Sequence, residues 1–301
     1  PDLQSVNSVG EVKIKHDIVQ AKDVVAALTQ AKNKHLTDDL YLMHYAQQGI
    51  ALDGNAEMID DAIGMQASDL MVLYHLMMMP VKGRQNLQQL LQECDVSIDQ
   101  MLFDAVSTAE YGLLPEEKYH GVCLIDIGAS TTSICVYRED KLIYTHCFAE
   151  GGHHATLDIS MLLDVTIAEA ENMKKSQANV DRHGIDSSQF FTIKRSQHDD
   201  EKTINMLELL EVTEARYISI LGHIKKELDK EGLSEFLQQG YVITGGGAEM
   251  RGLLPLAKKI FANKVNKVNQ HSAISAYTQY GDDDKLRTIA AMIGERKYQT
   301  A

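Results

Sequence analysis

The chain has 301 residues, 44% hydrophobic and 24% charged, which is enough for two domains of ordinary size with a core to match. A formal net charge of −14 with no basic stripe excludes DNA or RNA as the main partner, and no apolar run reaches the roughly 20 residues that span a bilayer. Cys94, Cys123, Cys135 and Cys147 form no C-x-x-C pair, which argues against a zinc site; three lie on apolar strand-like runs, as reduced thiols of a cytoplasmic protein do. The chain opens at Pro1 without a charged-then-apolar leader, so a fragment is expected and secretion is not.

Residues 1–82 read as a small α+β unit. Val12 and Ile14 alternate with Lys13 and Lys15 as in a half-buried strand, and Val24, Val25, Leu28 and Ala31 make one stripe of a helix near 21–32. Asp53-Gly54-Asn55 marks a turn. Leu70–Met79 is an apolar strand containing His75, and Pro80 ends it. Gly83 then opens a helix with Leu87, Leu90 and Leu91 inward. From Val96 the pattern becomes α/β. A strand is expected over Val96, Ile98, Met101, Leu102 and Phe103, and a helix from Ala105 to Leu113. Three strands follow as an antiparallel meander, Val122–Ile127, Ser133–Tyr137 and Leu142–Phe148. Helices are expected near 153–163, 166–177 and 205–231, with a polar loop and short strands over 181–202. Tyr241–Thr244 is a strand that breaks into three glycines and then a helix to Phe261.

Three segments carry chemistry. In Asp126-Ile127-Gly128-Ala129-Ser130-Thr131-Thr132, Gly128 and Ala129 let backbone N–H groups approach an anion and the hydroxyls can donate further bonds. Asp126, at the strand end, can orient water on a divalent cation such as Mg2+. No G-x-x-x-x-G-K-[ST] is present, so this is not a P-loop, and the plain alternative is a hairpin turn of small residues. In Thr244-Gly245-Gly246-Gly247-Ala248-Glu249-Met250 the glycines permit φ > 0 and bare N–H groups beside a helix start, suited to phosphate, ribose or base; the alternative is a flexible loop. In Ala168–Lys175, Glu171 and Lys174 share a helix face and can clasp a ribose, or simply form a solvated ion pair. The order is the specific feature. A phosphate hairpin, then Gly151-Gly152, an A-E-A-x-x-x-K helix and a T-G-G-G strand resemble the second half of an actin-family nucleotide cleft.

Within that fold, several segments resemble the bacterial cell-division FtsA family. They are Asn7–Val12 with the helix after it, Asp60–Met77 with Gly64-Met65-Gln66-Ala67, the G-V-x-x-x-D-I-G run from Gly121, Glu214-Ala215-Arg216-Tyr217, and Val242–Phe261. The resemblance implies an α/β, actin-like (ribonuclease H-like) nucleotide-binding fold with an α+β insert. In it 1–82 would be the insert, 83–150 with 240–275 one subdomain, 151–239 a smaller one, and 276–301 a return toward a first lobe. It departs in lacking a D-I-G-[ST] hairpin before the insert and a C-terminal amphipathic membrane helix. Ala129 and Ser130 also stand where the family has glycines, and their extra Cβ atoms crowd the phosphate loop.

The resemblance implies ATP and Mg2+ as cofactors, held by Asp126, Gly128, Ala129, Ser130, Thr131, Glu171, Lys174, Gly245, Gly246 and Gly247, with the metal reached from Asp126 through water. Asp104 lies where related ATPases carry an acid for the attacking water, although it equally suits a helix cap; hydrolysis is expected to be slow or absent. The implied partners are the acidic tail of the tubulin-like FtsZ, received near Arg216, Lys225 and Lys226, other copies of the chain, other division proteins, and the inner membrane at the division site through a segment beyond this sequence. On the helix itself those cations can instead balance Glu208, Glu211, Glu214 and Glu227. A PilM-like component of type IV pilus machinery and a nucleotide-free scaffold are the alternatives. A sugar kinase or Hsp70-type ATPase fits less well, for want of a substrate acid or a peptide-binding segment.

Overall fold

A computed structural model of the chain describes residues 2–98, 101–183, 188–194 and 201–268. In chain order its elements are β1 (Gln4–Lys13), α1 (Ala21–Asn33), β2 (Leu40–Leu52), β3 (Asp69–Pro80), α2 (Val81–Gln92), α3 (Asp104–Gly112), α4 (Pro115–His120) and β4 (Val122–Ile127). Next come β5 (Thr132–Arg138), β6 (Lys141–Phe148), α5 (Gly152–Leu162), α6 (Ile167–Ser176), β7 (Phe190–Lys194) and β8 (Glu201–Asn205). The last are α7 (Met206–Lys230), β9 (Tyr241–Thr244), α8 (Leu253–Phe261) and β10 (Val265–Lys267). The expected return over 276–301 lies outside the described residues. Two compact units result, 2–111 with 135–146 and 112–134 with 147–268.

In the first unit β1, β3 and β2 form an antiparallel sheet with β3 central. Alternate residues Leu70, Val72, Tyr74 and Leu76 of β3 bury against a core that includes Ala27 and Ala31 of α1. The helix lies close because β1 offers no side chain at the crossing: a Cβ on Gly10 would sit 1.9 Å from the Ala27 carbonyl oxygen. The opposite face of β3 is also covered, which is why the strand reads as a nearly unbroken apolar run. His75 on that face is 1% exposed. Its Nδ1 lies 2.7 Å from Asn7 Oδ1 and its Nε2 2.9 Å from the Thr145 hydroxyl of β6. An amide oxygen only accepts, so Nδ1 carries the proton and Nε2 accepts from Thr145. Around it, the Ser5 hydroxyl donates to the Thr145 carbonyl (2.6 Å), Asn7 Nδ2 to the Ile143 carbonyl (3.3 Å) and Gln48 Nε2 to the Leu142 carbonyl (2.9 Å). Side chains of β1 and β2 thus satisfy the backbone of β6.

The second unit carries a sheet in the order β10-β9-β4-β5-β6, to which β5 and β6 contribute their near ends. β10, β9 and β4 run parallel. Val122–Ile125 of β4 are fully buried, as a central parallel strand requires. Glu139 and Asp140, at φ 53° and 61°, make the tight two-residue turn between β5 and β6.

Two sequence expectations fail here, and one strand goes unforeseen. Residues 96–98 and 101–103 form no strand, and Val96 is exposed: the apolar content is real, but among the described residues no strand pairs with it. α2 starts at Val81 and buries none of its residues; Leu87 and Leu90 are exposed because helical periodicity reports what a face offers, not what covers it. β2 carries no alternation that a sequence reading could find, since register shifts at Leu42/His44 and Gln47/Gly49 break its period of two.

Burial pushes the His75 imidazole from its ordinary 6.5 down to about 4, with His44 nearby adding to the effect. The folded chain therefore binds fewer protons than the unfolded one between those values, so stability is full above 6.5 and is lost as pH falls towards 4. Urea unfolding of this unit is expected to show a loss of about 2 kcal/mol from pH 7 to pH 5 attributable to this one group. His75→Gln should flatten that slope; an unchanged slope would reject the assignment.

Candidate functional site

β4 and β9 pair Asp126 with Thr244, so both strands deliver their following loops to one edge of the sheet. After β9, Gly245 takes φ +88°, and a Cβ there would lie 2.4 Å from Asp126 Oδ1. A Cβ on Gly247 would lie 2.3 Å from Ile127 Cγ2, whereas one on Gly246 would meet nothing within 4 Å. The glycines do not run straight into a helix as expected. They lead into a 3₁₀ turn, Gly246–Glu249, and α8 begins only at Leu253, after Gly252 turns the chain at φ +78°.

After β4 the loop is closed by a bond from the Gly128 N–H to the Thr131 carbonyl (2.9 Å). The carbonyls of Gly128 and Ala129 accept the N–H groups of Gly152 (2.9 Å) and His153 (2.7 Å), which open α5. Gly151 is required there, since a Cβ would come within 2.6 Å of the Ala129 carbonyl oxygen. α6 is started by a reciprocal cap between Thr166 and Glu169.

Glu171 and Lys174 are far more than a solvated pair. The Lys174 ammonium donates to Glu171 Oε2 (2.7 Å), the Thr156 hydroxyl (2.8 Å) and the Gly152 carbonyl (2.9 Å), and its side chain is only 13% exposed. Thr156 also donates to Glu171 Oε2, and Lys175 sits 3.1 Å from Oε1. Burial pushes the Glu171 carboxyl up, but the bonds from Lys174, Thr156 and Lys175 outweigh it and hold the group at about 2. All three Lys174 protons are thereby committed, so a ligand hydroxyl would meet the carboxylate, not the ammonium.

These elements enclose a cavity of about 730 Å³ within the second unit. Of the residues singled out from sequence, Gly128, Ala129, Glu171, Lys174, Gly246 and Gly247 line it. Asp126, Ser130, Thr131 and Gly245 do not line it, although they belong to the same two loops. Asp104 belongs to the other unit, where it opens α3 and accepts the Ala105 N–H at 2.8 Å. Among the described residues no three His, Cys, Asp or Glu side chains are grouped to hold a metal by themselves. His153, Thr156, Tyr217 and Met250 line the cavity without having been assigned a role from sequence. The Tyr217 hydroxyl donates to the Gly247 carbonyl (2.9 Å), and burial pushes it up to about 12, so it remains a donor. A tyrosine spaced among the apolar positions of a long helix reads as core, and only the fold reveals where its hydroxyl points.

The three cations of α7 differ. Arg216 grips Asp158 of α5 with Nε (2.6 Å) and Nη2 (3.0 Å), in place of the glutamates of its own helix. Lys225 pairs with Asp229 at 3.2 Å, and Lys226 is exposed.

Compared with known proteins, the chain matches the sequence profile described as cell division protein FtsA over residues 123–286, and that of the SHS2 domain inserted in FtsA over residues 1–78. The cell division protein FtsA of Buchnera aphidicola subsp. Acyrthosiphon pisum is 27% identical over 266 residues, covering 86% of this chain and 63% of that protein. The chain thus spans less than two thirds of that relative's length. Two solved structures share the fold. The PilM–PilN type IV pilus biogenesis complex matches with a TM-score of 0.59 and 13% identity, over 95% of this chain and 72% of that one. MreB 5 of Spiroplasma citri bound to AMPPNP matches with a TM-score of 0.55 and 17% identity, over 72% and 65%. The fold is actin-like. Among the described residues no helix is long and apolar enough to cross a membrane.

The glycine turn makes a sharp expectation. Gly247→Ala forces a methyl against Ile127 and should cost roughly 1–3 kcal/mol of stability. Gly246→Ala, with open space and no positive φ, should be neutral or slightly stabilising. Thermal melts of the two variants check the opposite signs.

Proposed function

The chain belongs to the FtsA family of cell-division proteins, and on that premise we propose that its cavity is an ATP site. The observation that carries this reading is convergence: 128–129, 171–174 and 246–247, far apart in sequence, line one cavity. Its volume of about 730 Å³ suits a small-molecule site, for which roughly 300–1,000 Å³ is usual. The loop 128–131 would meet the phosphates on the side of Gly128 and Ala129, which line the cavity, with Ser130 and Thr131 following just outside that lining. The Glu171 carboxylate, ionised at any physiological pH, would accept from the ribose hydroxyls. Gly246 leaves the opening that a base needs. Asp126 would hold magnesium through water, and the metal would offset phosphate charge. Hydrolysis in this reading is slow or absent.

In division, the protein self-associates in an actin-like way and holds FtsZ at the cytoplasmic face of the inner membrane. The acidic FtsZ tail would be received along α7 by Arg216, Lys225 and Lys226, of which Arg216 already pairs with Asp158 and Lys225 with Asp229, while Lys226 is exposed. Such a contact is electrostatic, modest and weakened by salt.

Two measurements test these readings. Gly246 lines the cavity and a Cβ there meets nothing within 4 Å, so for Gly246→Val calorimetric titration with magnesium-ATP should show at least a roughly tenfold loss of affinity with little change in melting temperature. Unaltered affinity would mean that the nucleotide binds elsewhere. For the partner, an FtsZ tail peptide should bind Lys226→Glu several-fold more weakly than wild type at low salt. Equal binding by the two would remove this end of α7 from the interface.

A further inference from the structure

We propose that Arg216 and Tyr217, consecutive residues of α7, are positioning residues that hold the two walls of the cavity, Arg216 the phosphate-loop wall and Tyr217 the glycine-turn wall. The inference rests on the ATP reading above.

Consecutive helical residues project about 100° apart with a rise of about 1.5 Å, so one rigid turn can reach two different neighbours. Arg216 reaches α5. Its fork closes on both oxygens of Asp158, the geometry in which a guanidinium–carboxylate pair is both strongest and most directional. Its Nη1 lies 3.8 Å from Glu150 Oε2. Glu150 directly precedes Gly151-Gly152, and its backbone carbonyl accepts the Thr132 hydroxyl at 2.7 Å. From there the N–H groups of Gly152 and His153 bond to the carbonyls of Gly128 and Ala129. Arg216 is thereby tied through one continuous set of contacts to the loop that faces phosphate.

Tyr217 reaches the other wall. Its ring is 1% exposed, and its hydroxyl fixes the Gly247 carbonyl. Gly247 has no side chain to anchor it and no room for one; its carbonyl also accepts the Met250 N–H at 3.4 Å, and the shorter bond from Tyr217 ties the turn to α7. The helix does not need either contact to stay docked. Leu209, Leu210, Ile220, Leu221, Ile224 and Leu228 already bury its apolar face. The polar pair is aimed instead at two loops, and both belong to the cavity.

The test separates the two walls. Magnesium-ATP and adenosine are titrated against wild type, Arg216→Gln, Asp158→Asn, the Arg216→Gln/Asp158→Asn double variant and Tyr217→Phe, with melting temperatures recorded alongside. Arg216→Gln and Asp158→Asn should each weaken ATP about tenfold while leaving adenosine within about twofold, and the double variant should lose no more than either single. Tyr217→Phe should weaken ATP and adenosine by the same factor. Arg216→Lys, which keeps the charge but not the fork, should recover part of the ATP affinity. Lower melting temperatures with unchanged affinities would show purely structural contacts and overturn the proposal. If wild type binds neither ligand, the ATP reading itself fails. Hydrogen exchange without nucleotide decides the positioning claim in that case. Faster exchange at 150–153 in the Arg216 and Asp158 variants, and at 246–249 in Tyr217→Phe, upholds it, and unchanged exchange at both overturns it.

Discussion

The carbonyls of Gly128 and Ala129 accept the first N–H groups of α5, and the contact is so close that no side chain fits between. A helix start normally leaves its N–H groups for a cap or a ligand. Here the preceding loop takes two of them. The loop after β4 and the helix α5 therefore form one piece, and everything α5 carries inherits that alignment. Thr156, one turn on, meets Glu171 and Lys174 from that helix.

The energetic consequence falls on Lys174. A nearly buried ammonium is costly unless each of its protons finds an acceptor. It finds three: a carboxylate on its own helix, and a hydroxyl and a backbone carbonyl on α5. The pair thus does two things at once. It joins α6 to α5, and it keeps the Glu171 carboxylate charged at the cavity wall. An exposed pair at the same spacing would have contributed little to either.

How far sequence reaches is clear from particular residues. β4 and β9 were legible to the residue, because buried parallel strands are short unbroken apolar runs bounded by glycine or polar turns. α7 was legible for the opposite reason: its length displays the helical period many times over. β2 was not, since two bulges reset its alternation. The strand expected from Val96 to Phe103 failed over 96–98 and 101–103 because pairing is non-local and nothing in the segment records it. In the site, glycines and the Glu171–Lys174 spacing could be found in the sequence, since their chemistry is local. Tyr217 could not, because its partner is a backbone carbonyl 30 residues away, and a carbonyl has no letter in a sequence. Arg216 illustrates the same limit: its charge is visible, but its engagement with Asp158, 58 residues distant, is not.

The distribution of glycine around the cavity reflects the same geometry. Where the family resemblance calls for glycines, this chain has Ala129 and Ser130, and both are exposed. Gly128 is retained, and a Cβ there would lie 3.0 Å from the Thr131 carbonyl that closes the loop. Gly151, Gly245 and Gly247 are likewise retained where a Cβ would strike backbone or core atoms at 2.6 Å or less. Gly246 alone among the three consecutive glycines has neither a positive φ nor a neighbour within 4 Å. Folding therefore accounts for Gly245 and Gly247 but not for Gly246. Gly246 lines the cavity and is exposed, so at that position neither packing nor backbone strain calls for glycine.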